Sequence, residues 1–592
     1  MNKIIKAGVF ALMAAAFVSC DDVFEPLPEN NLPIDYLVMN SSYAENVLGN
    51  VYAFMPSFDV FNLSEAGTDD AVSNEANNSW RLIASGSWTS QSNPMNRWEM
   101  TRTCIQYCNL LLSRIDDVEW AKDEAASACF HDRFYAEARA LRGILMYNLL
   151  QAHAGIDNSG ELLGIPIVLE PEDATSNFNV PRNTFIECYN SMMEDFNEAL
   201  KYLPATFKSY DAQEDPASLA ELQQKYPGIT EGNANRVFGA GFMGRISGQI
   251  VQAFISRASL LAASPAFEKS GVTWETAANA AAGVLKAING ISGMAEDGGT
   301  WYCDATMDAL QDGDCPPEVI WRTEKGESHD RESTYFPPTL YGSGRINPTQ
   351  NLVDAFPMAN GYPITDPLSG YDPQDPYKNR DQRFYDYIIY NGATAGTANT
   401  VINTAADSNT NDGLDKITTS TRTGYYMKKH LRMDVNANSS NIVDKNHYTA
   451  RLRYTEFFLN YAEAANEAWG PTGSGSNGYS AYDVIKALRS RALIGLENGD
   501  AYLESCKSSK EEMRKLIRNE RRLELCFEGF RFYDLRRWKA DLNETAKGMH
   551  IEDGVYSVFD VDTRNYKDYM YYGPIPYSET LKFSNLQQNA GW

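Results

Sequence analysis

The chain has 592 residues, of which 43% are hydrophobic, 12% are aromatic and 22% are charged. A chain of this length and composition can bury a large core, which argues against intrinsic disorder. Its formal net charge of -26 repels nucleic-acid phosphates and acidic membrane surfaces. We therefore expect neither nucleic acid nor direct adsorption to a membrane.

The N-terminal residues read MNKIIKAGVFALMAAAFVSC. Two lysines precede an apolar run over residues 7–18, which is shorter than the ~20 residues that cross a bilayer as a helix. This order is typical of an export signal peptide. It ends in FVSC, which resembles a bacterial lipobox, where the cysteine is lipidated and becomes the mature N-terminus. The sequence predicts a signal peptide over residues 1–19 and a lipid anchor at Cys20.

Apolar residues recur at steps of three and four along several blocks, which indicates amphipathic helices. In TFIECYNSMMEDFNEALKYLP the stripe ends before Pro204, which stops the helix. Alanines in several blocks allow close approach of helices, as in hairpins stacked in tetratricopeptide repeats, although no regular repeat is present. Helices are predicted at about 101–116, 131–153, 184–203, 243–263, 275–289, 454–469, 480–494 and 509–526.

Between about 290 and 450 the helical stripes disappear, and Gly, Pro, Asn, Thr and Tyr dominate. Short alternating pieces such as FYDYIIYNG at 384–392 predict small strands between long loops. Residues 56–98 have the same irregular character. Long irregular segments of a compact protein are often functional surfaces. The predicted architecture is mainly α: a helical scaffold over about 35–290 and 450–545, with a loop-rich insertion over about 290–450.

Sequence motifs for catalysis or metal binding are not found in the chain: it lacks H-E-x-x-H, G-x-S-x-G, a P-loop and C-x-x-C. We expect no catalytic residue, no metal and no cofactor, but the absence of these motifs does not by itself decide between a binding protein and an enzyme. Beyond Cys20, eight cysteines remain, too few for a disulfide scaffold in so long a chain. Most are expected to be small core residues, with Cys303 and Cys315 as the best candidates for a loop-closing pair.

Residues 516–539, LIRNERRLELCFEGFRFYDLRRWK, combine many charges with many aromatic rings. On a helix Arg521 and Arg531 lie three residues from Glu524 and Glu528, so neighbouring charges can pair. Gly529 is expected to end this helix through a positive φ. A self-neutralising network over aromatic rings predicts a structural element and not the functional site.

The same stretch, ERRLELCFEGFRFYDLRRW, resembles the C-terminal hallmark of the SusD/RagB family, the surface nutrient-binding lipoproteins of Bacteroidetes. Other blocks along the chain also resemble the family and occur in the family's order: 134–155, 164–168, 180–204, 351–361, 377–392, 454–468 and 571–592. The resemblance implies one SusD-like domain over 20–592. It also implies a lipid-anchored, cell-surface protein of the outer membrane that captures glycan and delivers it to a SusC-like TonB-dependent transporter.

Family binding sites resemble an arc of aromatic rings with a few polar side chains, drawn from the loops before the first scaffold helices and from the irregular subdomain. Flat rings suit the C–H face of a sugar, and amide or guanidinium donors orient its hydroxyls. Trp98 and Trp321 are expected to be structural. The candidate ligand-binding residues are Trp80, Trp88, Asn93, Trp301, Tyr302, Arg331, Tyr335 and Tyr341.

Three other functions remain open from the sequence. The cargo could be a peptide in place of a glycan, because an acidic surface and aromatic loops suit both. A secreted glycoside hydrolase would need two carboxylates facing each other across an aromatic cleft. A periplasmic helical scaffold would explain the helices but would give the aromatic loops no role.

Overall fold

The structure is a computed structural model, and it describes residues 34–55, 64–298, 306–311 and 313–592. The predicted signal peptide and the lipidation residue Cys20 lie outside the described residues, as do Trp301, Tyr302 and Cys303. Those predictions therefore stay predictions.

Helices account for most of the regular structure, as the sequence predicted, so the fold is mainly α. Those before residue 300 are α1 (Ile34–Met39), α2 (Ser41–Phe54), α3 (Ser79–Leu82), α4 (Trp98–Leu112), α5 (Glu124–His153), α6 (Phe185–Ala199), α7 (Pro216–Lys225), α8 (Glu231–Phe238), α9 (Gly248–Ala263) and α10 (Trp274–Leu285). Those after it are α11 (Thr306–Ala309), α12 (Asp330–Tyr335), α13 (Gln350–Ala355), α14 (Gln382–Tyr387), α15 (Tyr454–Trp469), α16 (Ala481–Arg491), α17 (Ala501–Cys506), α18 (Lys510–Glu524), α19 (Arg531–Arg537) and α20 (Tyr577–Lys582).

Helix boundaries follow local capping chemistry. Helix α6 begins after Thr184, whose side chain forms a reciprocal capping box with Glu187. Helix α15 spans the predicted 454–469, and Gly470 follows it with φ of 80°. In the packed structure α5 contacts α4 and α6, α10 contacts α9 and α15, and α15 contacts α16 and α18. Successive amphipathic helices thus bury their apolar stripes against one another.

Strands are short and form two-stranded antiparallel sheets in the described part of the chain. The strands are β1 (Ala71–Ser73), β2 (Gly155–Ile156), β3 (Leu162–Leu163), β4 (Val319–Arg322), β5 (Gly326–Ser328), β6 (Ile346–Pro348), β7 (Ile388–Ile389), β8 (Thr394–Ala395), β9 (Thr400–Val401), β10 (Tyr426–Met427), β11 (Lys445–His447), β12 (Ala450–Arg453), β13 (Ala546–Glu552) and β14 (Val555–Asp562). The pairs are β1–β6, β2–β3, β4–β12, β5–β11, β7–β10, β8–β9 and β13–β14.

Two local predictions were wrong. The alternating piece at 384–392 is not a continuous strand, because helix α14 occupies Gln382–Tyr387 and only Ile388–Ile389 pair as β7. Gly529 has the expected positive φ of 77° but does not end the helix: α18 ends at Glu524, within two residues of the predicted end, and Gly529 lies in the turn before α19. Tertiary packing overrides local pattern in both places.

Two large cores underlie the fold. The first contains the apolar faces of α2, α4, α5, α6, α9, α10, α15, α16 and α18, including Trp98 and Trp321, both of which are buried as expected. The second joins residues 66–95 to the short-strand region and to residues 523–570. This second core positions the irregular loops against the helical scaffold.

Within the described ranges no helix is long and apolar enough to cross a membrane. The same ranges hold no group of three or more His, Cys, Asp or Glu side chains arranged to bind a metal ion. Cys315 is an exposed free thiol. Its proposed partner Cys303 lies outside the described residues, so that pairing stays a prediction. The cysteines of α4, α5, α6, α17 and the 526 turn are buried and free, as expected of small core residues.

Candidate ligand-binding site

The pairing of β1 with β6 joins the two irregular regions that the sequence predicted to be functional surfaces, residues 56–98 and about 290–450. The strands are antiparallel, with Ala71 opposite Pro348 and Ser73 opposite Ile346. The chain leaving β1 therefore lies beside the chain entering β6. We call the surface formed by residues 74–79, 338–345 and 416–422 the loop junction.

Asn74 holds the loop junction together. Its side-chain amide donates to the carbonyl oxygens of Ser343 and Gly344, each at 3.0 Å, and of Ser420 at 3.3 Å. Gly344 has φ of 55°, and a Cβ there would stand 2.7 Å from the carbonyl oxygen of Thr419. Only glycine fits this position without displacing the neighbouring loop.

The loop junction exposes an aromatic ring and both signs of charge. Tyr341 is 58% exposed and adopts a left-handed backbone with φ of 66°. Arg345 donates to the Asn74 side-chain oxygen at 3.3 Å, and its guanidinium lies 3.9 Å from the carboxylate of Glu75. The loop junction thus carries an exposed ring and, beside Asn74, a guanidinium next to a carboxylate. Such a set offers an apolar face together with hydrogen-bond donors and acceptors.

Arg331 and Tyr335, both predicted ligand contacts, lie in helix α12, which precedes the 338–345 loop. The Arg331 guanidinium donates to the Tyr448 carbonyl and to the Thr449 hydroxyl, both at 2.9 Å. Tyr335 is buried, and burial raises its pKa to about 12. Backbone bonds from Ser343 and Arg345 to α12 fold the loop back onto this helix. These two residues therefore support the loop from beneath, and of the three residues in this group Tyr341 is the one at the surface.

Trp80, Trp88 and Asn93 are the other predicted contacts among described residues, and the two tryptophans belong to the second core. The Trp80 ring packs edge-on against Phe532 with a 4.8 Å centroid separation. Trp88 is 2% exposed and donates from its indole nitrogen to Asn93 at 3.1 Å. A ligand would reach either tryptophan only if this packing opened.

The charged segment at 516–539 is buried, as expected for a structural element, but its pairing differs from the prediction. Arg521 bonds Asp534 at 2.7 Å and Arg531 bonds Asp69 at 2.7 Å, so neither pairs with the glutamate three residues away. The other acids bond distant bases: Glu520 with Arg489 and Arg383, Glu524 with Arg383 and Arg491, and Glu528 with Lys429 and Arg453. The segment connects distant parts of the fold through buried ion pairs.

Sequence reasoning missed Asn74, Glu75 and Arg345. Each depends on the β1–β6 pairing, which joins residues about 270 positions apart. No local pattern encodes a contact of that separation. Within the sequence, the only signal was the irregular composition of both loops.

A helical scaffold, a loop-rich second core and an exposed aromatic, mixed-charge loop surface define the architecture, and the described residues hold no group of side chains arranged to bind a metal ion. Comparison with known families identifies the class. The model of the SusD family matches residues 317–592, and a model described as starch-binding, associating with the outer membrane, matches residues 28–223. The chain belongs to the SusD/RagB family.

Solved structures agree with this assignment at the level of the fold. A SusD-like protein of Bacteroides fragilis is 23% identical, with a TM-score of 0.68 over 95% of this chain and 100% of that chain. A SusD-like carbohydrate-binding protein of the same species is 22% identical, with a TM-score of 0.66 over 93% and 99%. A laminarin-binding SusD-like protein is 18% identical, with a TM-score of 0.55 over 93% and 100%.

A curated relative, a SusD-like protein of Formosa agariphila, is 33% identical over 138 residues. The match covers 23% of this chain and 24% of that protein, so it spans about a quarter of the relative's length. This similarity supports the family and leaves the ligand to be established.

Proposed function

We propose that this protein is a non-enzymatic, lipid-anchored protein of the outer-membrane surface that binds oligosaccharide and passes it to a SusC-like TonB-dependent transporter. The ligand is held at the loop junction, with Tyr341 stacking on a sugar ring and Arg345 and Glu75 bonding its hydroxyls. Trp301 and Tyr302 are further proposed contacts of the ligand. The lipid is attached at Cys20.

The observation that carries this proposal is the exposed Tyr341 ring in the same loop as Arg345, whose guanidinium lies 3.9 Å from the Glu75 carboxylate of the neighbouring loop. Sugars combine apolar C–H faces with hydroxyls that both donate and accept, so a ring beside a donor and an acceptor suits them. Further support comes from the family, which includes a carbohydrate-binding and a laminarin-binding structure.

Calorimetric titration of the chain beginning at Asp21 tests the proposal, with oligosaccharides of laminarin and of starch as the first probes. Loss of the Tyr341 ring should weaken binding by about two- to twelvefold, given the ~0.5–1.5 kcal/mol of an aromatic contact. Tyr341→Ala, Arg345→Ala and Trp301→Ala are the test variants. Tyr577→Ala is the matched control, because Tyr577 is also exposed, at 45%, and lies in α20.

Three results would contradict the proposal. Equal affinities for wild type, Tyr341→Ala and Arg345→Ala would move the ligand away from the loop junction. Saturable binding of a peptide library by folded protein that takes no glycan would make the cargo a peptide, the second candidate. Hydrolysis of a bound glycan that one Asp or Glu substitution abolishes would make the protein an enzyme.

A further inference from the structure

A cavity lies in the helical scaffold between helix α7 and residues 202–210, which follow α6. Its volume is about 700 Å³, within the range of about 300–1,000 Å³ typical of small-molecule sites. None of its lining residues belongs to the loop junction. It is therefore a separate candidate site.

The cavity has aromatic walls that the fold holds in place. Tyr202 is half-buried and packs edge-on against Tyr135 at a centroid distance of 5.9 Å. Tyr226 is buried, and its hydroxyl donates to Asp132 at 2.8 Å. The backbone of Tyr210 both donates to and accepts from the Asn235 side chain at 2.7 Å. The walls are thus fixed independently of any ligand.

A single ammonium group stands between two of these rings. The Lys225 nitrogen lies 5.0 Å from the centroid of the Tyr202 ring and 5.3 Å from that of Tyr226. It donates to the Lys201 carbonyl at 2.8 Å. An ammonium group has three N–H donors, so this bond leaves donors for a ligand. Lys208, which also lines the cavity, is instead paired with Asp215 at 2.8 Å.

The rim carries three exposed polar side chains, those of Thr206, Glu221 and Gln224. In the described part of the chain none of the three has a side-chain hydrogen bond or an ion pair. Together they offer a hydroxyl, a carboxylate and an amide toward the opening. The Glu221 carboxylate repels an anionic ligand and the Lys225 ammonium repels a cationic one. The cavity therefore favours a neutral ligand rich in hydroxyls.

We infer that this cavity binds a sugar unit of one or two rings, as a second carbohydrate position on the same protein. Tyr202 contacts the C–H face of the sugar, while Lys225 and Gln224 bond its hydroxyls. The inference rests on the proposed function in taking glycan as the ligand class, but it uses a different set of residues. A second position would let one molecule hold two points of a polysaccharide, which raises avidity without new contacts.

Hydrogen–deuterium exchange with oligosaccharides of laminarin and of starch reads both positions in one sample, because residues 202–226 and 338–345 give separate peptides. Bound sugar is expected to slow exchange in 202–226. Tyr202→Ala should remove this protection and weaken binding there by about five- to tenfold. Tyr202→Phe keeps the ring and should keep the protection. Gln224→Ala, at an exposed position, provides a second variant that leaves the walls intact.

The outcomes separate the two proposals. Protection confined to 338–345 would overturn this inference and leave the proposed function standing. Protection of 202–226 that is lost in Tyr202→Ala and kept in Tyr341→Ala would support a sugar site in the cavity, even if the loop junction bound no sugar. Protection of 202–226 by peptides alone would overturn the assignment to carbohydrate. Absence of protection at both positions with every oligosaccharide would overturn both proposals.

Discussion

Arg536 and Arg537 are consecutive, both buried, and differ sharply in their partners. Arg537 bonds both carboxylate oxygens of Glu463 at 2.6 Å and Asp534 at 2.8 Å. Arg536 has no acid partner among the described residues, and its guanidinium lies 4.3 Å from the ring centroid of Trp88. Burial lowers the pKa of Arg536 to about 9. The adjacent pair separates the effect of a compensated buried charge from that of an uncompensated one.

Replacing each arginine with methionine keeps most of the side-chain volume and removes the charge. Arg537→Met leaves Glu463 buried without its main partner, which should cost about 3–5 kcal/mol. Arg536→Met removes a charge that has no acid to balance it. The lost cation–π contact, worth about 1–2 kcal/mol, is offset by the relief of desolvation and by sulfur–aromatic contacts. We expect the net change to lie within about 1 kcal/mol of zero.

Scanning calorimetry measures the difference. At about 2.1 cal/mol/K per residue, unfolding of the 592-residue chain carries about 1.2 kcal/mol/K, so a loss of ~4 kcal/mol lowers Tm by about 3 °C. Arg537→Met should therefore melt about 3 °C below wild type, and Arg536→Met within about 1 °C of it. Equal losses of 3 °C or more in both variants would refute the reasoning, because the absence of an acid partner would then have no consequence.

Further predictions concern the loop junction and pH. Gly344→Ala places a Cβ 2.7 Å from the Thr419 carbonyl oxygen and so displaces the neighbouring loop. We expect weaker glycan binding in calorimetry and an unchanged far-ultraviolet circular dichroism spectrum. An unaltered affinity would contradict this prediction. Burial lowers the pKa of His153 to about 4. As the pH falls, His153 is protonated in the unfolded chain before it is protonated in the folded one. The free energy of unfolding should therefore fall by about 3 kcal/mol between pH 6.5 and 4. His153→Gln should flatten the profile of Tm against pH between 6.5 and 4. A profile identical to that of wild type would show that His153 does not cause this pH dependence. Arg537 chiefly lowers the pKa of Glu463 to about 2, despite the opposing effect of burial. The ionised Glu463 therefore stabilises the fold fully above about pH 4.3, and this stabilisation is lost as the pH falls toward 2. The difference in Tm between wild type and Arg537→Met should close over the same range.

The sequence by itself determined the helical scaffold. In α15 and α6 the apolar spacing, the caps and the terminal Gly470 or Pro204 are all local, so a window of about 20 residues contains the whole signal. The same local reading placed Trp98 and Trp321 in the core, where the structure has them. Family resemblance, carried by the charged hallmark at 520–538, then gave the fold class.

Only the tertiary structure decided which residues of the irregular loops meet. The β1–β6 pair places Asn74 beside Gly344, and the second core covers Trp80 and Trp88 while Tyr341 stays at the surface. The sequence marked all three aromatic residues alike, because composition does not say which ring the core will cover.

The buried ion pairs of the hallmark segment follow the same rule. Arg531 and Glu528 have oppositely charged neighbours within one helical turn, yet they bond Asp69 and Arg453 from distant segments. In water a local pair of exposed charges is worth only a few tenths of a kcal/mol. Once the chain packs, a buried charge must find a partner at hydrogen-bond distance wherever the fold supplies one. Periodicity encodes the helices, whereas the partners of buried charges and the exposed surface of the site depend on contacts that exist only after the chain has folded.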